Sequence, residues 1–252
     1  MSQFRFTVGS QPSLDIRVSS GRLDLAASSS GEVSVDVSGS GADLVVVEQS
    51  GDTIFIREER RLFGGRTVNI RASVPPGAGL EATVASLDIS ARVDLGRVVA
   101  RTASGDIDLG KVDAIEVRSA SGDIKAGSCA GRCEITSASG DVRVEQVVGD
   151  LSVSTASGDI AVESAEGRVE IKTASGDIRV GRCSGGSVEA ASMSGDVDLG
   201  VPEGTRVEAE IDSLSGDVVL PPRRPPGGET ERNLKLRAKT VSGDVVIRRI
   251  SK

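Results

Sequence analysis

Thr155-Ala156-Ser157-Gly158-Asp159-Ile160 returns 18 residues later as Thr173-Ala174-Ser175-Gly176-Asp177-Ile178. The core of this phrase, Ser-Gly-Asp-Ile/Val, places its glycine at 105, 122, 140, 158, 176, 195, 216 and 243, in steps of 17, 18, 18, 18, 19, 21 and 27 residues. A degenerate copy, Ser86-Leu87-Asp88-Ile89, lies 18 residues before Ser104. Self-similarity at a fixed short period is the mark of a repeat architecture.

Counting outward from Ile160, the apolar or small residues are Ile160, Val162, Ala165, Val169, Ile171 and Thr173. The preceding copy gives Val142, Val144, Val147, Leu151, Val153 and Thr155, and the one before it Ile124, Ala126, Cys129, Cys133, Ile135 and Ser137. Positions two apart alternate as in a β-strand, and the jumps of three and four mark corners. Charged Asp159, Glu163, Glu170 and Lys172, with small Ala161, take outward places. Helical spacing fits none of this. A left-handed hexapeptide helix wants an aliphatic residue every six, and from Ile107 that rule lands on Asp113 and Ser119. One such strand–turn–strand unit cannot bury its apolar face alone, but stacked copies can. The predicted fold is all-β: a parallel β-solenoid of coils of about 18 residues, each advancing ~4.8 Å along the axis, over residues 81–252.

Residues 1–80 read differently, as an N-terminal antiparallel β-sheet or sandwich. Phe4–Val8, Leu14–Val18, Val33–Val37, Ile54–Ile56 and Val68–Ile70 alternate as strands, separated by Gly, Ser and Pro turns. All four Phe (Phe4, Phe6, Phe55, Phe63) lie here, which predicts a broader core than a thin solenoid allows. The phrase VPPGAGLEATVASL at 74–87 recurs as VPEGTRVEAEIDSL at 201–214, so both mark a strand entering a new coil. The 27-residue step holds a basic, Pro-rich stretch at 221–233, expected to be an exposed loop.

Composition narrows the chemistry. The 252 residues include no His, Trp or Tyr, which removes His-based acid–base catalysis, His-ligated zinc and amphipathic aromatic platforms. A net charge of −7 repels a phosphate backbone, so no nucleic acid partner is expected. Three Cys (Cys129, Cys133, Cys183) do not make a disulfide framework. MSQFRFTVGS lacks the apolar run of a signal peptide and nothing approaches a membrane-spanning length, so the expectation is a cytoplasmic protein without direct membrane insertion.

Aliphatic strands, a V-P-x-G entry and iterated T/S-A-S-G-D-I/V coils together resemble the bacterial putative-adhesin family of β-strand-repeat proteins, also called toastrack, a domain of unknown function. The resemblance spans nearly the whole chain. It implies an all-β repeat fold, links to membrane anchors and envelope-stress systems, and no established catalytic residues.

The sharpest constellation is a column of aspartates: Asp106, Asp123, Asp141, Asp159, Asp177, Asp196, Asp217 and Asp244. Stacked in register they stand ~4.8 Å apart, each neighbouring pair costing ~1 kcal/mol at water's dielectric. The structural reading is that turn N–H groups and Ser hydroxyls serve these carboxylates, with Gly supplying the unusual φ. The functional alternative is Ca²⁺ held between coils. Structure is the expectation, with no metal and no cofactor, because one Gly precedes each Asp instead of several. A second column of hydroxyls (Thr102, Ser119, Ser137, Thr155, Thr173, Ser192, Ser213, Thr240) has no accompanying base. The expected function is a non-enzymatic scaffold or protein-interaction module. The alternatives are a self-assembling solenoid joined through its coil ends, and a β-helix enzyme acting on acidic polysaccharide.

Overall fold

The computed structural model describes residues 2–29, 31–59, 66–221 and 232–251. Phe63 and most of the predicted Pro-rich loop at 221–233 lie outside the described residues. The chain divides into two compact units, 1–127 and 128–252, and its described residues contain no α-helix.

In the first unit the strands are β1 (Ser2–Thr7), β2 (Ser13–Arg17), β3 (Ser20–Ala27), β4 (Glu32–Ser38), β5 (Val45–Ser50), β6 (Thr53–Glu58), β7 (Val68–Val74), β8 (Ala78–Ala91), β9 (Leu95–Ser104) and β10 (Ile107–Ser119). A further strand, β11 (Ile124–Cys129), crosses the division. One ladder runs β5–β6–β2–β8–β9–β10, using the first half of β8. The other runs β1–β4–β7–β3–β8–β10, using the second half. Within these two ladders β1–β4, β4–β7 and β5–β6 pair antiparallel and the other pairs are parallel. Among the described residues, the phenylalanines do not form the aromatic core expected here. Phe4 and Phe6 are half-buried on the edge strand β1, rings 6.4 Å apart, and Phe55 faces outward beneath the Arg57 guanidinium at 4.4 Å. The large buried side chains are aliphatic, among them Leu14, Ile16, Ile54, Ile56 and Ile70.

The second unit repeats one plan. Its strands are β12 (Cys133–Ser139), β13 (Val142–Val147), β14 (Leu151–Ser157), β15 (Ile160–Ala165), β16 (Val169–Ser175), β17 (Ile178–Cys183), β18 (Ser187–Ser194), β19 (Val197–Pro202), β20 (Thr205–Ser215), β21 (Val218–Val219), β22 (Arg232–Ser242) and β23 (Val245–Ile250). One ladder runs β12–β14–β16–β18–β22–β20. The other runs β13–β15–β17–β19–β23–β21, and every pair is parallel. Register puts like on like: Ile160 lies between Val142 and Ile178, and Ile171 between Val153 and Ala190. Two inward rows thus close on each other as a thin aliphatic core.

Stacking order departs from chain order in both units. β22 sits between β18 and β20, and β23 between β19 and β21. The chain leaves β19, passes over one coil position, builds β20 and β21 outermost, and returns to fill the gap. In the first unit β2 lies between β6 and β8, and β3 between β7 and β8. There the passed-over position holds the start of the chain. Each skip is made at a Val-Pro-x-Gly turn, Val74–Gly77 before β8 and Val201–Gly204 before β20. Proline fixes φ and withholds an N–H from the ladder, and Gly77 and Gly204 adopt φ of +83° and +79°. The phrase read as entry into a new coil is a turn that steps over one. Strands β2, β3, β22 and β23, near the two chain ends, are therefore flanked on both sides, where terminal segments usually fray.

The inward–outward alternation carries a test. Ile160 is 1% exposed between aliphatic neighbours, so Ile160→Asp should cost more than about 3 kcal/mol in chemical denaturation. Ala161, one residue on, faces Arg143 and Arg179 across the ladder. Ala161→Asp should therefore change stability by less than about 1 kcal/mol. Equal losses would break the register.

Candidate functional site

Each Ser-Gly-Asp corner is built by backbone crowding. Gly158, Gly176, Gly195, Gly216 and Gly243 have φ from +126° to +144°. A Cβ on Gly176 would lie 2.2 Å from the Gly158 carbonyl oxygen, and one on Gly195 2.1 Å from that of Gly176. Stacked corners leave no room for a side chain, so glycine is required twice over, by conformation and by space.

The aspartates follow directly. In the second unit the Asp159 N–H donates to Asp141 Oδ1 at 3.0 Å, and Asp177 N–H to Asp159 Oδ1 at 2.9 Å. The chain of bonds continues Asp196 to Asp177, Asp244 to Asp196 and Asp217 to Asp244, each at 2.8 Å. Asp244 precedes Asp217 because the coils skip. In the first unit Asp106 donates to Asp88 at 3.2 Å and Asp123 to Asp106 at 2.9 Å. Each is a charge-assisted bond between backbone and carboxylate, and such bonds offset the mutual repulsion of the column. Arg143 adds an ion pair to Asp141 at 3.1 Å. Among the described residues no group of three or more Cys, Asp or Glu is arranged to hold a metal ion.

The hydroxyl column is also turned inward to backbone. Thr102, Ser119, Ser137 and Thr155 each donate to the carbonyl two residues on, at 2.7–3.0 Å. Ser192 and Thr240 reach instead to the Gly176 and Gly195 carbonyls, at 3.3 and 3.4 Å. Thr173 and Ser213 hydroxyls are buried without a partner. The three thiols are buried and not joined in disulfides. A hydrogen bond with Cys129, then burial, hold the Cys133 thiol far above its ordinary range. Burial pushes Cys183 up to about 12. These groups are poor nucleophiles as they stand.

What differs from coil to coil lies outside. Asp198 on β19 is bridged by Arg179 of β17 at 3.4 Å and Arg248 of β23 at 2.7 Å. On the other ladder Glu210 of β20 takes Arg237 of β22 at 2.6 Å, and Asp212 takes Lys239 at 3.2 Å. A groove of about 470 Å³ crosses β16, β18, β22 and β20, its charged walls made by Arg168, Glu189, Glu208, Glu210, Lys235 and Arg237. Sequence reasoning found the aspartate column but not this face, because the skip that places β20 beside β22 is not written in the period.

The Toastrack DUF4097 family model matches residues 12–248. The chain belongs to this family. Among solved structures, the Toastrack chain resembles a "putative adhesin" from Bacteroides fragilis at 14% identity and TM-score 0.51, covering 99% of this chain and 96% of that one. A "putative adhesin" from Parabacteroides distasonis is similar at 10% identity and TM-score 0.41, with 97% and 96% covered. No curated protein matches. The Toastrack family has no established function, and the likeness to the Bacteroides fragilis structure is one of fold. No helix among the described residues is long and apolar enough to cross a membrane.

Three outcomes are expected. Gly176→Ala should destabilise by more than about 2 kcal/mol. Asp177→Asn keeps an acceptor oxygen, so it should cost less than Asp177→Ala, whose loss is about 1–2 kcal/mol. The third concerns alkaline pH. A thiol whose folded value is raised stabilises the fold fully below its unfolded value, and the contribution is lost as pH climbs to the folded one. Cys183 places that window between 9.0 and about 12. Cys183→Ala should flatten the fall of stability above pH ~9 by up to about 1.4 kcal/mol per unit, read from denaturation midpoints.

Proposed function

We propose that this Toastrack chain is a non-enzymatic scaffold that offers its outer sheet faces to a protein partner, in a membrane or envelope-stress setting, from the cytoplasm. One observation carries the reading. The recurring carboxylates accept bonds from backbone N–H groups of neighbouring coils, and six of the eight recurring hydroxyls donate to backbone carbonyls, so repetition serves the fold and the variable outer residues remain for recognition. Buried thiols not joined in disulfides fit a reducing compartment, and cell fractionation checks that part. Crosslinking and capture with the intact chain in native lysate should retain a protein partner reproducibly. A specific substrate turnover in activity profiling would overturn the scaffold reading.

A second reading, self-association through a coil end, is favoured by β20, which among the described residues pairs on one side only, with β22. Sedimentation across a dilution series separates it from a monomer.

A further inference from the structure

The residue between Ser/Thr and Ser in the corner phrase is alanine in five successive copies: Ala103, Ala120, Ala138, Ala156 and Ala174. In the last three copies it is Met193, Leu214 and Val241. Those three belong to β18, β20 and β22, which are adjacent in the ladder with β22 in the middle. They form one apolar stripe across the outer face, 63%, 82% and 48% exposed. Large apolar side chains placed in contiguity at the surface, where the repeat elsewhere uses alanine, mark an interaction surface.

The stripe ends at β20, which among the described residues pairs on one side only. The inward row of β20, Val207, Ala209 and Ile211, is half-buried or exposed, whereas Leu234, Leu236 and Ala238 beside it on β22 are buried. Along β20 the outward row is Glu208, Glu210, Asp212 and Leu214, and the matching row of β22 is Lys235, Arg237, Lys239 and Val241. Acid and base face each other position by position. Within the second unit a carboxylate can take a cation from both sides, as Asp198 does between Arg179 and Arg248. Glu210 and Asp212 take theirs from β22, and among the described residues no strand pairs with β20 on its outer flank.

From these observations we propose that the β20 edge and the Met193–Val241–Leu214 stripe dock an extended segment of a partner protein, added parallel to β20. In that segment Lys or Arg alternate with aliphatic residues and an apolar residue follows. Main-chain bonds to the strand edge supply affinity, and the alternating side chains supply selection. The basic residues pair with Glu208, Glu210 and Asp212; the aliphatic ones cover Val207, Ala209 and Ile211; the final apolar residue extends the stripe beyond Leu214. A second copy joined β20 to β20 fits poorly, because the two edges would oppose acid to acid. The edge thus repels itself while accepting a basic strand. This surface rests on the scaffold reading and names the chemistry of its partner.

The complement of β20 is already known from β22, so the probe is a labelled synthetic peptide with the sequence of residues 233–242, Asn-Leu-Lys-Leu-Arg-Ala-Lys-Thr-Val-Ser. The covalent β22 holds its own place by effective concentration. Fluorescence anisotropy with the intact chain should show saturable binding that weakens at least tenfold when the three basic residues are replaced by Glu. A chain carrying Met193→Ala, Leu214→Ala and Val241→Ala restores the residue used in five other coils, so it should fold normally and bind at least threefold more weakly. Glu210→Gln with Asp212→Asn should reduce the salt dependence. No binding, or equal binding of the basic and acidic peptides, overturns the docking surface. So does a concentration-dependent dimer that the triple-alanine chain abolishes, which would assign the edge to a second copy. If the peptide fails while the intact chain still captures a protein partner, this surface is wrong and the scaffold reading stands. If the chain captures nothing and turns over a substrate, the scaffold reading itself has failed.

Discussion

Everything in the stacked coils depends on the absence of a side chain at one corner residue. With Gly158 and Gly176 in the left-handed region and the next corner's carbonyl 2.2 Å from any added Cβ, backbones close to the distance at which Asp177 N–H reaches Asp159 Oδ1. The approach is possible only without a Cβ, and once made it supplies an acceptor for an N–H that the turn leaves outside the ladder. The carboxylate column is a consequence of the glycine column. It tolerates its own repulsion because its inner charges accept a bond from the next coil and stand at or near the surface, where water screens them.

This coupling explains which parts of the fold were legible. Gly and Asp at one period, with aliphatic residues at fixed offsets from Ile160, translate directly into register, since a one-residue slip would turn every side chain to the wrong face. The turn chemistry was legible too, because V-P-x-G occurs twice. What it accomplishes was not. A period reports how many residues make a coil and is silent on which coil a strand joins, so the placement of β22 between β18 and β20 had no signal in spacing alone. Pairing partners at long separation are set by the whole stack. The step of 27 residues separates Gly216 from Gly243, and the strands on its two sides stack in the reverse of their chain order.

The aromatic residues misled for a related reason. Four Phe in one region suggested a wide core, yet Phe4 and Phe6 lie on an edge strand and Phe55 lies outside beneath Arg57. Ring size says how much surface a residue can cover, and edges need covering as much as interiors do. The buried aliphatic rows fill the interior because β-branched side chains pack well on a pleated surface.

A repeat chain also separates the two kinds of information a sequence carries. Inward and corner positions agree from copy to copy, since each must fit its neighbours above and below, and that consistency across levels makes the stack specific. Outward positions are released from it. Ala174 and Met193 occupy equivalent places, one copy apart in the same ladder, and the fold accepts either. A change from small to large there, repeated in three adjacent strands, is therefore not explained by stacking. It coincides with the coil whose inner row is uncovered and whose outer charges form one acidic line. Three departures from the repeat meeting at one edge are what a surface kept for something outside the fold should look like, and a regular solenoid makes such departures readable because its background is uniform.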